Sequence, residues 1–204
     1  AWSVCDAGNG LIYVGHVYDG LSVIDTHNRV AHNYKHNSAD PNSISGNEIH
    51  SIFRDKNGNI WIGTNNGLDL FDALNGKFIH YNDGGRVHHL ISSIRQMSDG
   101  KLWLATEQGG VAILDINASM YMGNVNCKYE FIQEGNGELD LTGNSVRCVL
   151  EDEYHNVWLG LYGAGINFIT RNTSLFSLLS YSPVNPEKHI STKSVLGLAF
   201  DTKG

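Results

Sequence analysis

An all-β chain made of repeated four-stranded units is predicted by three observations. A tetrapeptide centred on an aromatic residue recurs four times, each copy is framed by turn-forming residues, and no stretch keeps apolar residues at helical spacing beyond two turns. The tetrapeptides are Ile12-Tyr13-Val14-Gly15, Ile60-Trp61-Ile62-Gly63, Leu102-Trp103-Leu104-Ala105 and Val157-Trp158-Leu159-Gly160. Each follows a turn at Gly10, Gly58, Gly100 or Asn156, and each leads to a second glycine, Gly20, Gly67, Gly110 or Gly165. A short apolar run comes next: LSVID, LDLFD, VAILD and INFIT.

The elements of one unit can be placed in order. Strands are expected near Ile49–Arg54, Ile60–Gly63, Leu68–Phe71 and Lys77–Tyr81, being short, rich in Ile, Phe, Trp and Leu, and bounded by Gly, Asn and Asp. Their short connections make neighbours antiparallel. Apolar residues on both faces suit a sheet packed between two others. A four-stranded unit repeated with a tryptophan is a propeller blade. The chain is thus expected to be a β-propeller fragment. Its blades fall roughly at 1–42, 43–86, 87–135 and 136–188, and 189–204 supplies the first strand of a fifth. Four blades are not expected to close a ring alone, and the chain reads as a piece of something longer.

A second frame precedes each unit. Ser45-Gly46-Asn47-Glu48-Ile49, Thr142-Gly143-Asn144-Ser145-Val146 and Ser191-Thr192-Lys193-Ser194-Val195 lead into strands ending at Asp55, Asp152 and Asp201. The third unit has Ile91 and Ile94 in this frame, with Met97 in the aspartate's place. In Asp55-Lys56-Asn57-Gly58-Asn59 the carboxylate is expected to accept backbone N–H groups of a turn, and Gly58 to take positive φ. Trp61 is expected to fill space between blades, and Gly63 to let a neighbour approach. A calcium loop is excluded because the glycine stands fourth rather than sixth, with no glutamate at the twelfth position.

Composition narrows the function. The 204 residues include 41% hydrophobic types, enough for a core, and carry a formal charge of -7. With no basic cluster, the chain has no electrostatic reason to bind nucleic acid or an anionic membrane. No apolar run approaches a membrane span. Cys5, Cys127 and Cys148 do not form a disulfide framework. No nucleophile elbow accompanies the ten histidines, and the aspartates recur at equivalent turn positions rather than as one catalytic pair. No catalytic residue, cofactor or metal is assigned. Adjacent His88 and His89 on a strand would point to opposite faces.

Two copies, NSISGNEI followed by IFRDKNGNIWIGTNNGLDLFD and GKFIHY, and LTGNSVRCVLEDEYHNVWLGLYGAGINFI, closely resemble the two-component regulator propeller repeat. The resemblance covers nearly the whole chain, with Tyr13 for Trp in the first unit. It implies a seven-bladed ring in the periplasmic sensor part of a hybrid two-component histidine kinase of gut bacteria. It further implies that the parent protein is anchored in the membrane and responsive to oligosaccharides released from glycans; a homodimer is expected as well.

Propeller ligands sit on loops at one mouth of the ring. One loop set joins the second and third strands and holds Tyr18, Asp19, Asn65, Asn66, Glu107, Gln108 and Tyr162. The other precedes the first strands and holds Asn47, Arg86, His88, His89, Asn144 and Lys193. Arg86, His88, His89, Tyr18, Asn65, Asn66, Glu107, Gln108 and Tyr162 are the candidate ligand-binding residues. Arginine suits a carboxylate or sulfate, and tyrosine can stack on a sugar face. The recurrence of Asn47 and Asn144 argues for a turn role. Two other classes stay open: a propeller lyase or hydrolase acting on polysaccharide, and a purely structural or dimerising propeller.

Overall fold

The structure is a computed structural model that describes residues 1–81, 89–116, 127–135, 140–170, 176–179, 190 and 194–199. It contains four antiparallel sheets, each with its four strands in sequence order. The first comprises β1 (Ser3–Asp6), β2 (Leu11–Gly15), β3 (Leu21–Asp25) and β4 (Val30–Tyr34). The second comprises β5 (Ile49–Arg54), β6 (Ile60–Thr64), β7 (Gly67–Asp72) and β8 (Lys77–His80). The third comprises β9 (Ile91–Gln96), β10 (Leu102–Thr106), β11 (Gly110–Leu114) and β12 (Tyr129–Ile132). The fourth comprises β13 (Val146–Glu151), β14 (Val157–Leu161), β15 (Gly165–Ile169) and β16 (Phe176–Leu179). The four strands expected within residues 49–81 match β5 to β8 to within a residue.

The sheets stack face to face, with β1, β5, β9 and β13 adjacent in turn along the inner side. Each of the three interfaces encloses its own apolar cluster. Tyr13, Leu21, Ile49 and Ile62 lie between the first and second sheets. Trp61, Leu68, Ile91 and Leu104 lie between the second and third, and Ala105, Val146, Leu159 and Leu161 between the third and fourth. This is the expected all-β propeller architecture, and the four sheets form an open stack. Trp61 is fully buried, edge-on to Tyr81 at a centroid separation of 4.8 Å. Trp158, at the same position in the fourth sheet, is only partly buried and rests on Phe168 at 4.2 Å. Trp103, packed against the cluster between the third and fourth sheets, is likewise only partly buried.

Two devices repeat. In the first, the turn aspartate holds the tryptophan. Asp55, 3% exposed, accepts hydrogen bonds from the backbone N–H groups of Asn57 and Asn59, from Asn59 Nδ2, and from Trp61 Nε1 at 2.9 Å. Asp152 receives the matching set from Tyr154, Asn156 and Trp158. Burial pushes the Asp152 carboxyl up, but the donors together outweigh it and hold the group below the usual carboxylate range. In the third sheet the same turn closes through Gly100 N donating to Met97 O, with Met97 in place of the capping aspartate and Asp99 accepting Lys101 N instead.

The second device is a glycine at the end of the inner hairpin. A Cβ on Gly15 would lie 2.6 Å from Ile49 Cγ2 of the next sheet. One on Gly63 would lie 2.8 Å from Ile91 Cβ, and one on Gly160 2.8 Å from Val195 Cγ1. Close approach of the next inner strand therefore demands a residue without a side chain. Val195 sits against Gly160 and donates its N–H to Leu161 O at 3.1 Å, the place a next inner strand would begin. Residues 194–199 nevertheless form no ladder among the described residues, and 200–204 lie outside them.

Candidate functional site

The two loop sets meet on one face. Asn65 N donates to Glu48 O, Glu107 N to Leu90 O and Tyr162 N to Ser145 O, at 2.9 to 3.0 Å. Each second-to-third-strand turn is thereby tied to the lead-in of its own sheet. Gly20 N to Asn47 O and Gly110 N to Asn144 O tie each lead-in to the preceding sheet. Asn47 and Asn144 do the expected turn work: their Oδ1 atoms accept the backbone N–H groups of His36 and Glu134 at 2.7 Å.

Three inner strands enter this face through a β-bulge. Ile49 pairs with Thr64 but Ser51 with Gly63, leaving His50 without a ladder partner. The same slip leaves Ser92 over in the third sheet and Arg147 in the fourth. A bulge re-aims its extra side chain out of the strand alternation. The side chain of Ser92 reaches Val146 O at 3.1 Å. His50 and Arg147 each anchor a polar pair.

His50 Nε2 lies 3.0 Å from Glu48 Oε1, and the ring packs against Trp2 at 4.1 Å between centroids. Burial lowers the His50 imidazole below its ordinary titration range despite the partly compensating Glu48. The ring is therefore neutral at pH 7, with Nε2 donating to Glu48. Arg147 Nη2 donates to Glu107 Oε1 at 3.0 Å, and its guanidinium lies 5.1 Å from the centroid of the Tyr162 ring. Among the described residues, Arg147 Nε is buried with no hydrogen-bond partner. The charges of Glu107 and Arg147 reach His50, so the two pairs form one patch. Trp2 is 55% and Tyr162 58% exposed, and these two rings flank the bonded polar groups. Glu48 also lines an adjoining groove of about 470 Å³ with Tyr18, His36, Ser45, Asn47, Asn65 and Asn66.

Of the residues expected from sequence, Tyr18, Asn65 and Asn66 come together in the groove, and Glu107 and Tyr162 in the patch. Gln108 takes φ 68 and forms part of the β10–β11 turn. His89 is exposed and lies over that turn, where a Cβ on Gly109 would meet its ring at 2.7 Å. Arg86 and His88 lie outside the described residues, as does Lys193. Trp2, Glu48, His50 and Arg147 escaped sequence reasoning. The available signal was a polar residue wedged between a buried apolar residue and a small one, in Ile49-His50-Ser51 and Val146-Arg147-Cys148.

The sheets and their mouth define a β-propeller of repeated, tryptophan-pinned blades. The two component regulator propeller model matches residues 43–66 and 140–163. The chain belongs to this repeat family, as the resemblance in its sequence implied. It is similar to the extracellular domain of BT3049 from B. thetaiotaomicron, assigned to a hybrid two component system. Identity is 36% and the TM-score 0.68, over 82% of this chain and 20% of that one. The extracellular domain of BT4673 from the same organism, also assigned to a hybrid two component system, is 25% identical, with a TM-score of 0.75. That match covers 87% of this chain and 24% of that one. Virginiamycin B lyase from Staphylococcus aureus shares the fold at 12% identity, with a TM-score of 0.64, over 89% of this chain and 55% of that one. The chain thus spans about a fifth to a quarter of the length of the two-component domains it resembles. No curated protein matches it. Among the described residues no helix is long and apolar enough to cross a membrane.

Proposed function

We propose that this chain is part of the extracytoplasmic sensor of a hybrid two-component regulator. In this reading its bulge-lined face binds an oligosaccharide derived from a glycan, and the membrane-anchored parent passes the signal to a histidine kinase. The carrying observation is the pairing of exposed Trp2 and Tyr162 with Glu48–His50 and Glu107–Arg147 on one face. Exposed rings offer apolar platforms to the C–H faces of a sugar, and held carboxylates accept hydrogen bonds from its hydroxyl groups. The likeness to extracellular domains assigned to hybrid two component systems supports the sensor class. The lyase likeness, at 12% identity, supports the fold alone.

Calorimetry against a panel of neutral and acidic oligosaccharides tests the reading. A binding response is expected, with Trp2→Ala and Tyr162→Ala each weakening it about tenfold, the effect of losing roughly 1.4 kcal/mol of ring contact. A flat panel with the complete ectodomain would leave a structural propeller as the better reading. Catalytic turnover of any glycan would replace the sensor by an enzyme.

A further inference from the structure

One cross-strand position on the two outer strands differs between the sheets. Ser22 pairs with Asn33, Asp69 with His80, Ala112 with Phe131 and Asn167 with Leu178. Only the second sheet places a carboxylate opposite an imidazole. Asp69 is fully buried; its Oδ2 accepts Ser45 N at 2.8 Å, and its Oδ1 lies 2.6 Å from His80 Nδ1. The other ring nitrogen, His80 Nε2, lies 2.9 Å from Pro41 O. Both ring nitrogens therefore face acceptors, and only the imidazolium can donate to both. A neutral ring must turn a lone pair toward one of them.

Pro41 and Ser45 belong to the connection 35–48, which supplies the wall of the mouth groove at His36, Ser45, Gly46, Asn47 and Glu48. The connection is also held by Ile44, buried in the apolar cluster between the first and second sheets, and by Glu48, whose carbonyl accepts Asn65 N. Phe78 N donates to Asn42 O, Ser45 Oγ meets Thr64 Oγ1, and Asn66 Nδ2 donates to Ser45 O. We propose that His80 is a proton-operated clamp on this wall: protonated, it ties Pro41 and, through Asp69, Ser45 to the outer edge of the second sheet; neutral, it releases the Pro41 end. The fourth sheet supplies the comparison. There Asn167 Oδ1 accepts Thr142 N at 3.1 Å, so the lead-in is capped at the same place without any charge. Capping alone needs no carboxylate, so the charge on Asp69 serves the imidazolium.

Among the described residues, Asp69 is the charged group facing the ring. The titratable side chains of the connection have other partners: Lys35 pairs with Asp19, His36 Nδ1 with Ile44 O, Asp40 Oδ1 with Asn42 N, and Glu48 with His50. On β7, Asp72 holds the turn at Leu74 and Asn75. On β8, Lys77 pairs in register with Asp72, at the far end of the strand from His80. The hydrogen bond from Asp69 raises the His80 titration above its ordinary value, outweighing burial, which lowers it. A raised histidine contributes its stabilisation fully below its unfolded value of about 6.5 and loses it as pH climbs through the folded value. The clamp is therefore closed in acid and opens toward alkaline pH.

Amide hydrogen exchange across pH 6 to 9, corrected for intrinsic base catalysis, tests this without any ligand. The Phe78 amide, which donates to Asn42 O beside Pro41, is expected to lose protection about tenfold as His80 titrates, the effect of losing one charge-assisted hydrogen bond, while the Ser45 amide keeps its Asp69 acceptor. His80→Gln should abolish the step. Asp69→Asn, which keeps the amide cap as Asn167 does, should move it to lower pH. A flat corrected profile in the unmodified protein, a step that survives in His80→Gln, or a His80 ring titrating below about 6.5 by NMR would each overturn the clamp. The consequence for ligand affinity rests on the proposed sugar reading of the groove. Failure of that reading would show as no binding at any pH, with the exchange step intact.

Discussion

Asp55→Ala is expected to lower stability by about 4 kcal/mol in chemical denaturation, more than any other single polar substitution in the second sheet. The carboxylate is buried and serves four donors, one of them the indole N–H of the fully buried Trp61. Removing it strands those donors away from water and lets the tight turn open. Asp55→Asn should recover part of the loss, since one oxygen remains to accept while the new amide opposes the other donors. Asp152→Ala should cost only about 2 kcal/mol, because Trp158 is partly exposed where Trp61 is fully buried, and water can replace the lost acceptor. Equal losses at the two sites would show that burial of the ring does not set the effect.

Gly63→Val is expected to be the other severe change, at about 3 kcal/mol. The new side chain would run into Ser51 Oγ and would start 2.8 Å from Ile91 Cβ. Ser51 Oγ donates to Ile91 O at 2.9 Å across the same gap, so the collision also breaks a bond between adjacent sheets. The second and third sheets would separate at the inner strands, where exchange protection should fall first. A loss below about 1 kcal/mol would mean that the sheets slide without penalty, against the close packing described above.

The fold was legible because a blade repeats its own instructions. Tyr13, Trp61, Trp103 and Trp158 mark equivalent strands, and Gly15, Gly63 and Gly160 mark the contact with the segment that follows, so each copy corrects the reading of the others. Periodicity also carried the turn role of Asp55 and Asn47. The mouth was only half legible. Glu107, Tyr162, Tyr18, Asn65 and Asn66 were found because loops between paired strands can be counted along the chain. His50 and Arg147 were not, because period-two alternation assigns every strand residue to one of two faces, and a bulge breaks that rule without marking the sequence. Trp2 stands before β1, and its contact with His50 crosses between sheets, which no local pattern encodes. The link from Asp69, on the β7–β8 hairpin with His80, back to Ser45 likewise spans residues far apart in sequence.

The unpaired residue at the head of each of these inner strands divides the labour of the molecule. His50, Ser92 and Arg147 occupy one geometric slot, yet they are an imidazole, a hydroxyl and a guanidinium. A slot outside the ladder can change its chemistry while the hydrogen bonds and the apolar layers beneath stay as they are. Each bulged blade of such a ring carries one position at its opening whose side chain can vary while the ladder beneath it stays, and new recognition can be spelled there without rewriting the strands.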